Sequence, residues 1–149
     1  LKKNVMLTIR GTQRVDGEEE TVELFTLGQL ARRNGSYWIS YEESETTGFA
    51  GHRTTLHIEP NRVTMRRTGA TSSNLVIEKG ARHQCLYDTG FGALNIGISG
   101  SFVRSTLSDD GGEVDFGYSM DVDTALQSEQ RVTIRVVNDA AGGFAAPRS

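Results

Sequence analysis

Apolar residues recur at every second position through most of this chain. Val5, Leu7 and Ile9 point one way while Thr8 and Arg10 point the other, which is the period of a half-buried strand. Val15-Asp16-Gly17-Glu18 reads as a turn, because Asp-Gly supplies the positive φ that a tight hairpin needs. In the long segment from Thr21 to Arg33, Val22, Leu24 and Thr26 alternate with Glu23, Phe25 and Leu27. Both faces are partly apolar there, so this strand is expected to be covered on both sides, with Gly28 at a bend or bulge. A helix over Leu27 to Arg33 is the competing reading.

Asn34-Gly35 is the strongest hairpin signal. Tyr37, Ile39 and Tyr41 follow on one face, then a charged, glycine-punctuated connection from Glu43 to Gly51. Thr54, Leu56 and Ile58 share the next face. Pro60-Asn61 turns the chain into Val63 and Met65, and Gly69 to Ser73 turns it again into Leu75-Val76-Ile77. Lys79-Gly80 leads to His83, Cys85 and Tyr87 on one face; Gly90 breaks that run. Leu94, Ile96 and Ile98 form a strand that Gly92, Gly97 and Gly100 allow to bend. Phe102 to Leu107 follows, and Asp109-Asp110-Gly111-Gly112 is a hairpin turn. Val114, Phe116, Tyr118, Met120 and Val122 give the longest alternation. Asp123 to Glu129 reads as a connection with room for one helical turn. Val132, Ile134 and Val136 close the domain. Residues 139–149 are small, glycine-rich and aperiodic, and are expected to form a flexible tail.

The pattern amounts to about ten strands with turn signals every 8–12 residues or so. Short connections make successive strands neighbours. A meander this long leaves two exposed edges unless it closes. The expected fold is therefore a single all-β domain over residues 1–138, a closed antiparallel up-and-down barrel.

Composition narrows the partners. The chain has 149 residues, 36% hydrophobic and 23% charged, with 17 glycines and 2 prolines. One core of this size needs no disulfide or metal. The net charge of −3 argues against nucleic acid or an anionic membrane as partner. Cys85 is the lone cysteine, so a reducing, cytoplasmic home is expected. The opening LKKNVMLTIRG lacks the apolar run of a signal peptide, and no apolar run approaches a membrane span. The first residue is not Met, so at least one residue is expected upstream.

Several groupings carry potential chemistry. GFGALNIGISG lacks the third glycine of a dinucleotide loop, since Asn95 stands there, and no helix follows. Gly97-Ile98-Ser99-Gly100-Ser101 lacks the last glycine of a nucleophile elbow. His52 and His57 face opposite sides of one strand, so neither these histidines nor Cys85 form a metal cluster. No metal and no cofactor are expected. Glu42-Glu43-Ser44-Glu45 could supply a general base or a cation ligand, because burial or like-charge neighbours raise a carboxylate's proton affinity, or it is a solvated loop. Glu18-Glu19-Glu20 reads as a solvated turn. Arg32-Arg33 and Arg66-Arg67 each place at most one arginine inside. Tyr41, Tyr87 and Tyr118 point inward, as core or as the wall of a cavity.

ISYEESETTGFAGHRTTLHIE, LVIEKGARHQCLYDTGFGALNIGI and DDGGEVDFGYSMDVD together resemble the YwiB-like family, small bacterial proteins of unknown function. The resemblance runs from about Val5 to Val136. Its most specific parts are Tyr41-Glu42-Glu43-Ser44, Thr47-Gly48, Thr54-Thr55 and Tyr87-x-Thr89-x-Phe91-Gly92; Leu7 to Gln13 also fits. Gly90 departs from the pattern, where many members carry proline. The resemblance implies a calycin-type, lipocalin-like β-barrel and brings no established activity or catalytic residues. That shape suggests a cavity for a small apolar or amphipathic ligand, although fold alone does not fix function. The lipocalin Gly-x-Trp signature is absent, since two residues separate Gly35 from Trp38.

Three functions follow as expectations. The first is a cytoplasmic binding protein with a ligand in or at the mouth of the barrel. Tyr41, Arg67, His83, Tyr87 and Tyr118 would be polar wall residues, with Glu43 near a mouth. The second is an interaction module using its surface or a strand edge, as a monomer or homodimer. The third is an enzyme using Glu43 or Glu45 with His83 as acid and base.

Overall fold

Alternation with a period of two buries one face of every strand and leaves the other to water, and ten such strands form here. The computed structural model describes residues 1–88 and 91–138. The strands are β1 (Lys2–Val15), β2 (Glu18–Arg33), β3 (Ser36–Glu42), β4 (Arg53–Glu59), β5 (Arg62–Thr68), β6 (Ser73–Glu78), β7 (Arg82–Asp88), β8 (Ala93–Ser105), β9 (Gly111–Val122) and β10 (Ala125–Asn138). Each lies antiparallel to its neighbours in sequence, and β1 returns to β10, closing the barrel. Among the described residues the one helical element is a 3-10 turn at Glu45–Thr47, and no helix is long and apolar enough to cross a membrane. Gly90 and residues 139–149, where a turn and a flexible tail were expected, lie outside the described residues.

The hairpin signals act as their chemistry dictates. Asp16 and Gly17 have φ of 51° and 79°, and Asn34 and Gly35 have 52° and 82°, positive at both central positions as a tight two-residue turn requires. A third such turn was hidden. Asp123 and Thr124 have φ of 51° and 67°, so β9 passes into β10 through two residues and the expected helical turn does not form. Thr124 is β-branched and strained in that region. Its N–H is held by Asp121 Oδ1 at 3.1 Å, and Arg82 grips the same carboxylate with Nε–Oδ2 at 3.0 Å and Nη2–Oδ1 at 2.7 Å.

Residues 27–33 are strand, paired with β1 on one side and β3 on the other, so the helical alternative fails. Nor is Gly28 a bulge: the register runs unbroken through Met6↔Leu27 and Val5↔Gly28. Gly28 serves a close approach instead. A Cβ there would stand 2.5 Å from Leu7 Cδ1 and 2.6 Å from the Ser40 carbonyl oxygen. The register shifts lie at Gly100/Phe102 and Leu126/Ser128. The outer face of β2 is bare, with Phe25 66% and Leu27 60% exposed; nothing among the described residues covers that side as expected.

Two discontinuities interrupt the wall. β3 pairs with β2 only from Gly28 to Arg33, so Glu18–Leu27 has no strand partner on the side away from β1. β6 and β7 share one ladder pair, Ser73↔Tyr87.

Inward side chains fill the barrel unevenly. Leu30, Ile39, Leu56, Val63, Ile77, Ile98, Phe116 and Ile134 pack the half nearer the β2–β3, β4–β5 and β8–β9 turns, all with almost no exposure. Tyr37 and Arg32 both bind the Asp109 carboxylate at that end, at 2.7 and 2.6 Å. The other half is hollow.

Candidate functional site

The cavity has a volume of about 540 Å³. It occupies the end of the barrel where β1 meets β2, β3 meets β4, and β9 meets β10. Its walls are mostly apolar, including Ile9, Val22, Leu24, Met65, Leu75, Ile96 and Met120, and its rim carries the exposed Gln13, Glu20 and Gln127. A larger concavity, about 690 Å³, lies on the outer face of β1, β2 and β10. That one is surface relief: its Arg14, Arg131 and Arg135 pair with Glu129, Asp115 and Glu113 across strands, each arginine side chain more than half exposed.

Inside the cavity sits a small polar constellation. β3 carries Tyr41 inward and then ends, and Glu43, two residues on, keeps the same parity and points in as well, its N–H donating to the His52 carbonyl oxygen at 2.8 Å and its side chain only 1% exposed. The 3-10 turn that follows is fixed by Ser44, whose Oγ accepts from the Thr46 N–H, and by Gly48 at φ 85°. That turn brings Thr47 back over Glu43, and Thr47 Oγ1 donates to Glu43 Oε1 at 2.7 Å. Thr54, the first inward residue of β4, donates to Glu43 Oε2. Arg67 at the end of β5 places Nη2 3.4 Å from the same oxygen and Nε 3.3 Å from Thr54 Oγ1. Phe49 covers the guanidinium face, with Cζ 3.8 Å from the ring centroid, a cation–π contact.

The loop is latched from behind. His52 Nδ1 lies 3.0 Å from the Phe49 carbonyl oxygen, and its Nε2 lies 2.9 Å from Thr71 Oγ1 on the β5–β6 turn. Its ring also packs edge-on against Phe49 at 5.9 Å. His52 thus sets the phenyl that sets Arg67.

The tyrosines respond to their surroundings. Burial is the main cause that holds Tyr41 protonated far above the usual phenol range, and the Glu43 carboxylate adds to it while Arg67 opposes it. Burial also pushes Tyr118 up to about 12, with Arg67 again opposing. Both hydroxyls are therefore neutral donors at physiological pH.

Of the residues expected at the wall, Tyr41, Glu43, Arg67, Tyr87 and Tyr118 line this cavity. His83 does not. It lies four residues down β7 from Tyr87, roughly 13 Å along a strand, with Nε2 2.8 Å from Glu78 Oε1 across the β6–β7 seam. It shares a face with Tyr87, but the packed core lies between it and the mouth. Glu45 sits exposed in the 3-10 turn. The acid–base arrangement of Glu43 or Glu45 with His83 is therefore not assembled. Glu42 faces outward and pairs with Arg53. Among the described residues no cluster of three or more His, Cys, Asp or Glu forms a metal site.

Three contributors escaped the sequence reading, Thr47, Phe49 and Thr54, while His52 was weighed there as a candidate group but not as a latch. Thr54 was placed on an inward face, yet its role as a Glu43 donor required the β3–β4 register, which sets it opposite Tyr41 and beside Glu43. Gly48 and Gly51, which bracket Phe49, were the available hint that the loop folds back.

Comparison with known proteins agrees with this architecture. A family model described as "Domain of unknown function (DUF1934)" matches residues 7–134. The "Uncharacterized beta-barrel protein YwiB" of Bacillus subtilis (strain 168) is 25% identical over 130 residues, 87% of this chain and 90% of that protein. The crystal structure of the ywiB protein from Bacillus subtilis aligns with a TM-score of 0.78 at 22% identity, covering 90% of this chain and 92% of that one; it shares the fold. Because the matched span runs from the first strand into the last, this chain belongs to the DUF1934 family, and with it to the YwiB-like β-barrels that its own motifs resemble.

Proposed function

We propose that this protein is a cytoplasmic binding barrel that holds a small amphipathic molecule in the cavity at its open end. The observation that carries this reading is the Glu43–Arg67 couple within mostly apolar walls. A buried ion pair pays a desolvation cost that its attraction barely recovers, and apolar residues of similar volume serve stability as well or better. A barrel built only to be stable would fill this end as it fills the other. Leaving it hollow, with oriented polar groups at depth, matches the usual form of a ligand site, apolar walls and a few convergent polar atoms. The lone buried Cys85 suits a reducing compartment.

Native mass spectrometry of freshly purified protein, compared with the same sample denatured, tests this. A mass increment lost on denaturation is expected. A clean apo mass, together with no saturable uptake of any apolar or amphipathic probe, refutes it.

A second reading has its own observation. The unpartnered stretch Glu18–Leu27 of β2 lies beside exposed Phe25 and Leu27, and Met6, opposite Leu27, also pairs with the 46%-exposed Val137. Free strand edges and apolar patches serve protein contacts. Light scattering reads it directly: a dimer mass that F25S/L27S converts to monomer supports it, and a monomer throughout the micromolar range removes self-association.

A further inference from the structure

We infer that the head group taken by the inner cavity is a neutral hydrogen-bond acceptor, a carbonyl of the amide, ester or ketone class, and not a carboxylate or an ammonium. This rests on the cavity reading above and adds the chemistry of its occupant.

The argument begins with the donors left over. A guanidinium has five N–H groups in a fixed fork. Arg67 uses Nε toward Thr54 and one N–H of Nη2 toward Glu43, both at long distances of 3.3 and 3.4 Å. Among the described residues Nη1 has no hydrogen-bond partner. Phe49 covers one face of the group, so a ligand meets it edge-on, along the Nη1–Nη2 side. Glu43 has less to spare: Thr47 donates to one oxygen, and Thr54 and Arg67 share the other, which uses three of the roughly four acceptor positions of a carboxylate. The couple thus offers three spare N–H groups of Arg67 against roughly one acceptor position of Glu43 to what enters.

Charge then selects the acceptor. Glu43 and Arg67 sum to zero, and the remaining ionisable carboxylate on the wall is Glu20 at the rim. A carboxylate head would gain Arg67 while meeting Glu43 just behind it, and would leave one uncompensated negative charge in a poorly solvated space. An ammonium would face Arg67 directly. A neutral carbonyl accepts from Nη1 without changing the charge of the site. The neutral hydroxyls of Tyr41 and Tyr118 lie on the same wall as further donors.

Isothermal titration with matched head groups tests this on the wild-type protein at neutral pH. The probes are decanamide, decanoate and decylammonium, repeated with naphthamide and naphthoate so that chain shape does not decide the outcome. Decanamide or naphthamide is expected to bind about tenfold or more tightly than its carboxylate partner. E43Q, which leaves Arg67 uncompensated, is expected to reverse that order. A wild-type preference for either charged head overturns the inference while leaving the cavity reading intact. Binding of none of the five overturns both. The wild-type order stands as a test even if E43Q does not fold.

Discussion

Replacing Arg67 by methionine keeps most of the side chain's volume and removes its charge. What remains is the Glu43 carboxylate, 1% exposed, with only the Thr47 and Thr54 hydroxyls as donors. Removing one partner of a buried pair leaves the other uncompensated and costs about 3–5 kcal/mol. The adjoining cavity admits water to Arg67, whose side chain is 15% exposed, so the lower end, about 3 kcal/mol, is expected here. In a chain of this length each kcal/mol moves Tm by roughly 2–4 °C, giving a drop of roughly 6–12 °C. E43Q alone is milder. It leaves Arg67 stacked on Phe49 and costs about 1.5–3 kcal/mol, the range for a hydrogen bond to a charged group. R67M/E43Q leaves no unpaired charge, so it is expected to be more stable than R67M by about 1 kcal/mol or more. Urea denaturation of the four proteins, with unchanged m values as the check on two-state behaviour, measures the cycle. An R67M loss under about 1 kcal/mol, or a double variant whose loss is the sum of the singles, would refute the view that these two groups form a desolvated couple.

Tyr118 ionises at about 12 when folded against an ordinary 10.0, so its contribution is fully present below pH 10 and is lost as pH rises toward 12. Y118F should flatten that alkaline decline in denaturation midpoints, and an unchanged profile contradicts it. At the acid end, hydrogen bonds from Arg82 hold Asp121 below its usual range, and Arg131 and Tyr37 do the same for Asp115 and Asp109. Each contributes above the ordinary Asp value of 3.8, and the contribution fades as pH falls through the lower folded value. D121N should weaken that acid dependence. Thr124→Gly should raise stability by about 1 kcal/mol by relieving the positive φ, whereas Gly28→Ala, pressed against Leu7 and Ser40, should lower it by about 1–3 kcal/mol; thermal melts decide both.

The barrel was legible because its information is local. Alternation assigns the faces, Asp-Gly and Asn-Gly set two hairpins, and short connections force a meander. The site was less so. Tyr41, Arg67, Tyr87 and Tyr118 could be assigned to inward faces by parity, but parity is blind to depth. His83 shares a face with Tyr87 and still lies at the filled end. Glu43 keeps the parity of Tyr41 and points inward with it, but its partners Thr47 and Arg67 come from a 3-10 turn and a strand that parity does not set beside it. The Asp123-Thr124 turn was missed because no glycine marks it; the Asp121–Arg82 clamp from distant strands holds it. Phe25 and Leu27 read as covered, when they are simply exposed.

Closure between β1 and β10 also constrains how the molecule is made. Arg14 and Glu129 bond across this seam although 115 positions separate them. Every other strand pairing joins sequence neighbours and can form as the chain emerges. The β1 edge, with Val5, Leu7 and Ile9 behind it, stays open until the last strand arrives, because long-range pairings must await the residues that complete them. A chain lacking residues 129–138 would hold a nearly complete sheet with an open border at each side. The final ten residues of β10, 129–138, thus turn an open sheet into a closed barrel.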